Sequence, residues 1–387
     1  MRILIVGGGV AGLTLAALLR QRGEELTVVE KVGEYGRAGY VITLWPMGNR
    51  VLRGLGLGEE FRRLGAPLEC TVLRDGGGRV LRTIRWGTLM ERHGETRKLE
   101  RADLLDLLRS HGSGVPVRTG LTVEMVEQDA GTDARVAQVT LSDGSEEEFD
   151  LVVGADGFRS SVRGLVFGDV APRPTGSVLF WWWQDRGAVP PGEITQYAGV
   201  GRFFGVYPAK ERVSCVAVLS EEEASPYGRG DSTEGRRSLL RDRFSGFGGE
   251  YLRTVFDRLD GVEYIDRLEV ADLMAPEWHR GRVVLLGDAA ATLLPSVGAG
   301  AASAMESAAV LNDELSRADA RYLSGALRLY EKRRRERVTR LQNGSRAMFR
   351  MGTARRPALA AARNAAFRLV PEGMLMREIV EGMEQPI

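Results

Sequence analysis

Residues 2–12 read Arg-Ile-Leu-Ile-Val-Gly-Gly-Gly-Val-Ala-Gly, and the fold is decided there. Arg2–Val6 is a short apolar strand, residues 12–22 an apolar-faced helix, and residues 26–30 a second strand. This β-α-β unit of about 30 residues is the context that a G-x-G-x-x-G motif needs. Gly7 permits the tight turn, Gly9 lets backbone approach a pyrophosphate, and Gly12 lets helix pack on strand. Glu30 ends the second strand, where a carboxylate accepts hydrogen bonds from a ribose diol and repels a 2′-phosphate. The dinucleotide is therefore FAD or NAD rather than NADP. Val10, Ala11 and Lys31 complete this half of the expected cofactor site.

A comparable turn lies far along the chain. Residues 282–300, Arg-Val-Val-Leu-Leu-Gly-Asp-Ala-Ala-Ala-Thr-Leu-Leu-Pro-Ser-Val-Gly-Ala-Gly, read as a buried strand that stops at Gly287-Asp288. A loop bearing Pro295, Gly298 and Gly300 follows, and a helix begins at about Ala301. Asp288 is placed to accept hydrogen bonds from ribityl hydroxyls, and the helix N-terminus to stabilise negative charge on a reduced flavin ring. Two half-sites at opposite ends of one chain imply one long cofactor held at both ends, which favours FAD over NAD. A third signal, Asp150-Leu-Val-Val-Gly-Ala-Asp-Gly-Phe-Arg-Ser-Ser-Val-Arg163, delivers Asp156-Gly157 to a turn, with Ser160 and Arg163 on a starting helix.

Composition narrows the alternatives. The 387 residues can bury a substantial core, and 53 Lys+Arg against 52 Asp+Glu leave no field that favours nucleic acid or an anionic membrane. Cys70 and Cys215 show no ligand spacing, and a total of three histidines argues against a histidine metal site. With no disulfide framework and no apolar stretch long enough to span a bilayer, the expected setting is the cytoplasm. The arginine-rich run 332–337 reads as a solvated helix face.

From about residue 171 the texture changes to strands 177–184, 194–198, 202–207 and 213–219, rich in Trp, Phe, Tyr and Val. They read as an antiparallel sheet inserted between cofactor segments. Earlier segments read as a helix at 48–65, a hairpin about Asp75–Gly78, a helix at 100–110, and strands at 117–127, 135–141 and 146–153. The fold class is α/β: a discontinuous Rossmann-type FAD-binding domain (1–170 and 268–335), the inserted sheet domain (171–267) and a C-terminal helical segment (336–387).

The three motifs, in this order, resemble the flavin monooxygenases of the para-hydroxybenzoate hydroxylase type. Arg37, in Gly36-Arg-Ala-Gly39, and Arg101, before Asp103-Leu104, also match family positions that hold the cofactor. The resemblance implies an FAD enzyme that takes electrons from NADPH or NADH without a second Rossmann fold. Reduced flavin then traps O₂ as a hydroperoxide that hydroxylates or epoxidises an aromatic or conjugated lipophilic molecule. Where family members commonly carry His, Asn and Asp, this chain has Ala291, Ala302 and Ser307. No catalytic residue is singled out.

On the substrate side, alternation sets Trp181 and Trp183 on one face of their strand and Trp182 on the other. Trp181, Trp183, Phe204, Gln196 and Tyr40 are the candidates for contact with a small, aromatic or polycyclic substrate; core packing is the competing role for each. The expected assembly is a monomer or homodimer, with no metal, nucleic acid or integral membrane contact. Two rival functions stand beside the monooxygenase: a flavoprotein that does not insert oxygen, and a non-catalytic flavin or small-molecule binder.

Overall fold

The computed structural model describes residues 1–33, 39–111, 117–128, 136–225 and 232–375. The first half of the chain contains β1 (Arg2–Val6), α1 (Val10–Gln21), β2 (Glu25–Glu30), β3 (Val41–Leu44), α2 (Pro46–Gly54), β4 (Cys70–Asp75), β5 (Val80–Arg85), β6 (Arg97–Glu100), α3 (Arg101–His111), β7 (Val117–Thr119), β8 (Leu151–Gly154) and α4 (Ser161–Phe167). The second contains β9 (Arg173–Asp185), β10 (Glu193–Ala198), β11 (Phe203–Pro208), β12 (Arg212–Ser220), α5 (Thr233–Phe244), α6 (Glu250–Asp257), β13 (Asp266–Met274) and β14 (Val283–Leu285). It closes with α7 (Gly300–Leu315), α8 (Leu323–Gly352) and α9 (Pro357–Leu369).

Strands β14, β8, β1, β2 and β7 form a parallel sheet in that order, edged by the antiparallel pair at His279–Arg280. Ile3, Leu4, Ile5, Val152, Val153, Val283 and Val284 are fully buried, because both faces of the parallel sheet are covered. Leu15 and Leu311 of helices and Val123, Val139 and Phe149 of a small three-stranded sheet share their core. A larger sheet runs Ala291–Thr292, β13, β9, β12, β11, β10, β4, β5. It is antiparallel except that β10 and β4 run parallel. Its last two strands, the expected hairpin around Asp75–Gly78, come from outside residues 171–267.

Three single elements of the sequence reading divide in the structure. The helix expected over 48–65 breaks after Gly54, where Gly56 turns with φ +79°, and resumes at Gly58–Leu64. The strand expected at 117–127 splits between β7 and Val123–Gln128, which pairs in a separate small sheet. The strand expected at 146–153 splits at Asp150, whose carboxylate accepts the Arg2 N–H at 2.7 Å as the chain passes from the small sheet to the parallel one.

The arginine run is not a solvated face. Arg334 and Arg337 are buried, and both donate to the fully buried Glu306 carboxylate of α7, at 2.6 and 2.7 Å. Asp272 on β13, also fully buried, receives Arg173 at 2.9 Å and Arg346 at 2.6 Å. Each buried carboxylate offers enough acceptor sites for two guanidiniums, so α8 docks by charge pairing as well as by its apolar stripe. The helix is continuous through residues 335 and 336.

Candidate active site

Strands β1, β8 and β14 are neighbours, so the loops leaving their C-terminal ends converge, where open α/β sheets bind ligands. Their fit leaves no space for side chains. Gly7, at φ +111°, would drive a Cβ into the Ala155 carbonyl, and a Cβ on Gly12 would strike the Gly7 carbonyl. A Cβ on Gly287, at φ +64°, would stand 2.8 Å from the Ala11 Cβ, so the Gly-Asp turn rests on the start of α1. Arg163 ties the other pair of loops, donating to Ala289 O at 3.0 Å and Phe158 O at 2.7 Å.

The carboxylates expected in the first and third motifs have different partners. Glu30 accepts the Gly8 N–H at 2.7 Å and the Val32 N–H at 2.9 Å, which pins the end of β2 to the glycine turn. Asp156 accepts from Ser160 Oγ at 2.5 Å and from the N–H groups of Ser161 at 2.6 Å and Val162 at 3.2 Å. Its carboxylate therefore caps α4 and shapes the turn from behind. Lys31 is exposed just beyond β2, and Arg37 lies outside the described residues.

Asp288 gathers the residues expected at the far end of the cofactor. Enclosure by protein pushes its carboxyl up to about 6, against the opposing pull of Arg101 at the start of α3. Tyr40, half of whose surface is open, has its phenol pushed up by burial of the hydroxyl and then by Asp288, with Arg101 opposing. The three groups thus share one electrostatic neighbourhood. Beyond them, Pro295–Val297 makes a tight turn ended by Gly298 in the left-handed region at φ +60°, and α7 begins at Gly300 with no side-chain cap. Trp45 braces this loop by donating to Val297 O at 3.1 Å.

The large sheet turns opposite faces to opposite neighbours. Trp182, Tyr197 and Phe204 are fully buried on the face covered by α5 and α6, and Phe204 packs on Trp182 and Phe244 at 5.8 and 5.4 Å between ring centroids. Phe204 therefore leaves the set of substrate candidates: strand alternation turns it into the core. On the other face, register aligns Trp181, Val216, Gly205 and Gln196 in one row and Trp183, Ser214 and Tyr207 in the next. Tyr40 meets Trp181 edge-on at 6.2 Å, and Trp183 Nε1 donates to Gly39 O at 2.6 Å. Arg212 stacks over Trp183 at 5.3 Å and pairs with Glu100 at 3.5 Å. Trp181 and Trp183 line a cleft of about 850 Å³ with Arg258, Tyr264 and Asp266. Gln196 Nε2 donates to Tyr207 Oη at 3.1 Å. Tyr207 had no sequence signal beyond being an aromatic residue on a strand.

The residues fit a bound FAD. A Cβ on Gly9 would meet nothing within 4 Å, in contrast to Gly7 and Gly12, so the open side of the turn lies at the uncapped N-terminus of α1. The three family departures are accommodated by packing. Ala302 is fully buried where Gly48 of α2 comes close enough that a Cβ there would be 3.1 Å from the Ala302 Cα. Ser307 donates to Ser303 O at 2.8 Å and accepts from Arg334 at 3.1 Å. Ala291 and Ser307 border a cavity beside Asp288.

Comparison with known proteins agrees with this geometry. Residues 1–345 match the family model described as FAD binding domain. A protein of Mycolicibacterium vanbaalenii named FAD-dependent urate hydroxylase is 34% identical over 320 residues, 80% of this chain and 78% of that one. A Streptomyces platensis protein named 3-amino-4-hydroxybenzoate 2-monooxygenase PtnB3 is 32% identical over 377 residues, 89% of this chain and 87% of that one. The crystal structure of Klebsiella pneumoniae HpxO complexed with FAD and uric acid superposes with a TM-score of 0.88 at 26% identity, over 99% of this chain and 96% of that one.

Proposed function

The chain belongs to the FAD-binding-domain family of flavin monooxygenases, and from that premise we propose a flat, uncharged aromatic ring as its substrate. The protein is an FAD-dependent, NAD(P)H-using monooxygenase acting on an aromatic or conjugated small molecule. The relatives' activities favour this over both the non-oxygenating flavoprotein and the non-catalytic binder. Bound FAD supplies two-electron reduction by NAD(P)H and transfer of one oxygen atom of O₂ to an electron-rich ring.

The chain's own residues hold, orient and shield. In this reading the backbone of Gly7, Gly9, Val10, Ala11 and Gly12 receives the pyrophosphate, with Glu30 and Lys31 at the adenosine end. Arg37 and Arg101 brace the cofactor, and Asp156 shapes its wall. Asp288 accepts the ribityl hydroxyls, and the segment Pro295, Gly298, Gly300 and Ala301 supports the ring. The partial positive charge at the start of α7 contributes roughly 0.3–2 kcal/mol to an anionic ring edge. Trp181, Trp183 and Tyr40 wall the substrate, with Gln196 as a polar contact, and their bulk excludes water.

The observation that carries the substrate class is the composition of the two rows facing the cofactor side. Trp181, Val216, Gly205 and Gln196, then Trp183, Ser214 and Tyr207, contain no charged side chain. The cations that border the rows are already engaged, Arg212 with Glu100 and Arg258 with the Asp185 carbonyl. A substrate carboxylate there would lose its hydration and have to compete for a counter-ion. Stimulated NAD(P)H consumption, measured with 4-hydroxybenzamide against 4-hydroxybenzoate and with peroxide monitored, tests this. The amide should be the better effector; a preference for the carboxylate overturns the class. The reading extends to a cytoplasmic monomer or homodimer, supported by free Cys70 and Cys215 and by three motifs that one chain supplies. Among the described residues no helix is long and apolar enough to cross a membrane.

A further inference from the structure

The face that carries the proposed substrate site contains a built polar feature, the Gln196–Tyr207 pair. Tyr207 does not stand upright on its strand. Its hydroxyl edge lies directly over Gly205, so that a Cβ there would be 2.7 Å from the phenol oxygen and 2.8 Å from the ring carbon bearing it. Gly205 has no positive φ, so its lack of a side chain is explained by this ring rather than by backbone strain. Gln196, directly opposite Gly205 in the register, donates to the Tyr207 oxygen at 3.1 Å. The Gln196 amide occupies a lone pair on that oxygen and leaves its proton uncommitted, since no described protein group accepts it. Burial pushes the phenol up to about 12, with Gln196 opposing, so it remains a neutral donor at ordinary pH.

The ring also stands at the seam with the cofactor domain. Tyr207 packs against the apolar cluster that holds Trp45 and Ala299, and Val297 and Ala301 pack on the same cluster. Across the neighbouring strand, Val216 and Trp181 continue the row as an apolar floor and wall. Ser214, paired with Tyr207 in the register, adds a buried hydroxyl with no partner among the described residues. An oriented, partly desolvated donor discriminates strongly, because a ligand without the matching acceptor strands it.

We infer that Tyr207, held over the Gly205 notch by Gln196, is the specificity-determining donor of this site and reads a hydrogen-bond acceptor, a carbonyl or ring nitrogen, on the flat substrate. This rests on the reading that the substrate lies on this face of the sheet. The test titrates the FAD-loaded protein with two planar isosteres, 2-acetylnaphthalene and 2-isopropenylnaphthalene, and follows the flavin absorbance. The wild type should bind the ketone roughly tenfold more tightly, the equivalent of one neutral hydrogen bond. Tyr207→Phe should abolish that preference while keeping its flavin. Gly205→Ala, which expels the ring from its notch, should abolish it as well. A preference that survives in Tyr207→Phe overturns the inference and leaves the aromatic site standing. If neither isostere perturbs the wild-type flavin, the substrate face itself has been misassigned and the inference falls with it.

Discussion

The cofactor cradle and the substrate sheet use their residues in opposite ways. In the cradle, glycine backbone is packed closely: Gly7 lies against the Ala155 carbonyl, Gly12 against the Gly7 carbonyl, and Gly287 against the Ala11 methyl. On the sheet, side chains do the work, and neighbouring residues on one strand have unrelated duties. Trp182 is fully buried core, whereas Trp181 and Trp183 border a cleft. Such a cradle tolerates almost no change, because a missing side chain is what lets the loops meet. The sheet can exchange the residues of its open face without disturbing the covered one, and so can alter substrate preference on a constant cofactor site.

The largest expected effect tests the rigidity of the cradle. Gly12→Ala places a methyl against the Gly7 carbonyl, and the protein should lose FAD or fail to fold. The ratio of flavin to protein absorbance after purification measures this, and normal flavin content would refute the backbone account. On the covered face of the sheet, Phe204→Ala should cost about 3–5 kcal/mol of stability, read from urea unfolding. The loss should appear without a specific change in KM once unfolding is allowed for.

Asp288→Asn separates binding from stability within the cradle. A carboxyl whose folded value is raised to about 6 binds more protons folded than unfolded. Apoprotein stability therefore falls as pH rises from the ordinary aspartate value to about 6, and stays low above it. The amide removes that slope, so the variant apoprotein should be the more stable at pH 7–8. Loss of one charged acceptor should nevertheless weaken FAD binding by roughly tenfold or more. Parallel pH–stability curves for variant and wild type would sink the assignment. The smallest stability effect belongs to the open face: Trp181→Ala should change the unfolding midpoint little and raise KM for aromatic effectors. A large stability loss with KM unchanged would return Trp181 to the core.

Much of this molecule was legible before folding. The glycine turns, the carboxylate at residue 288, the helix at 300 and the four strands between 173 and 220 all rest on local rules: φ freedom, an apolar run, period-two alternation. Alternation also separated Trp182 from its neighbours, yet it could not tell which face was covered, and so Phe204 was expected at the substrate. Asp156 carried the right motif, but only the fold revealed that its oxygens are occupied by the start of α4. The arginines at 334 and 337 looked like a solvated face, since nothing nearby in sequence announces Glu306 of another helix.

Sequence alone determined the cofactor, because FAD is held by motifs whose physics is contained in a few consecutive residues: a tight turn, a helix start, a strand-end carboxylate. Tertiary structure alone decided the substrate side. Tyr207, Gln196, Gly205 and Trp181 come together through strand register, and the protein groups left for an uncommitted proton depend on what every other strand and helix has already bonded.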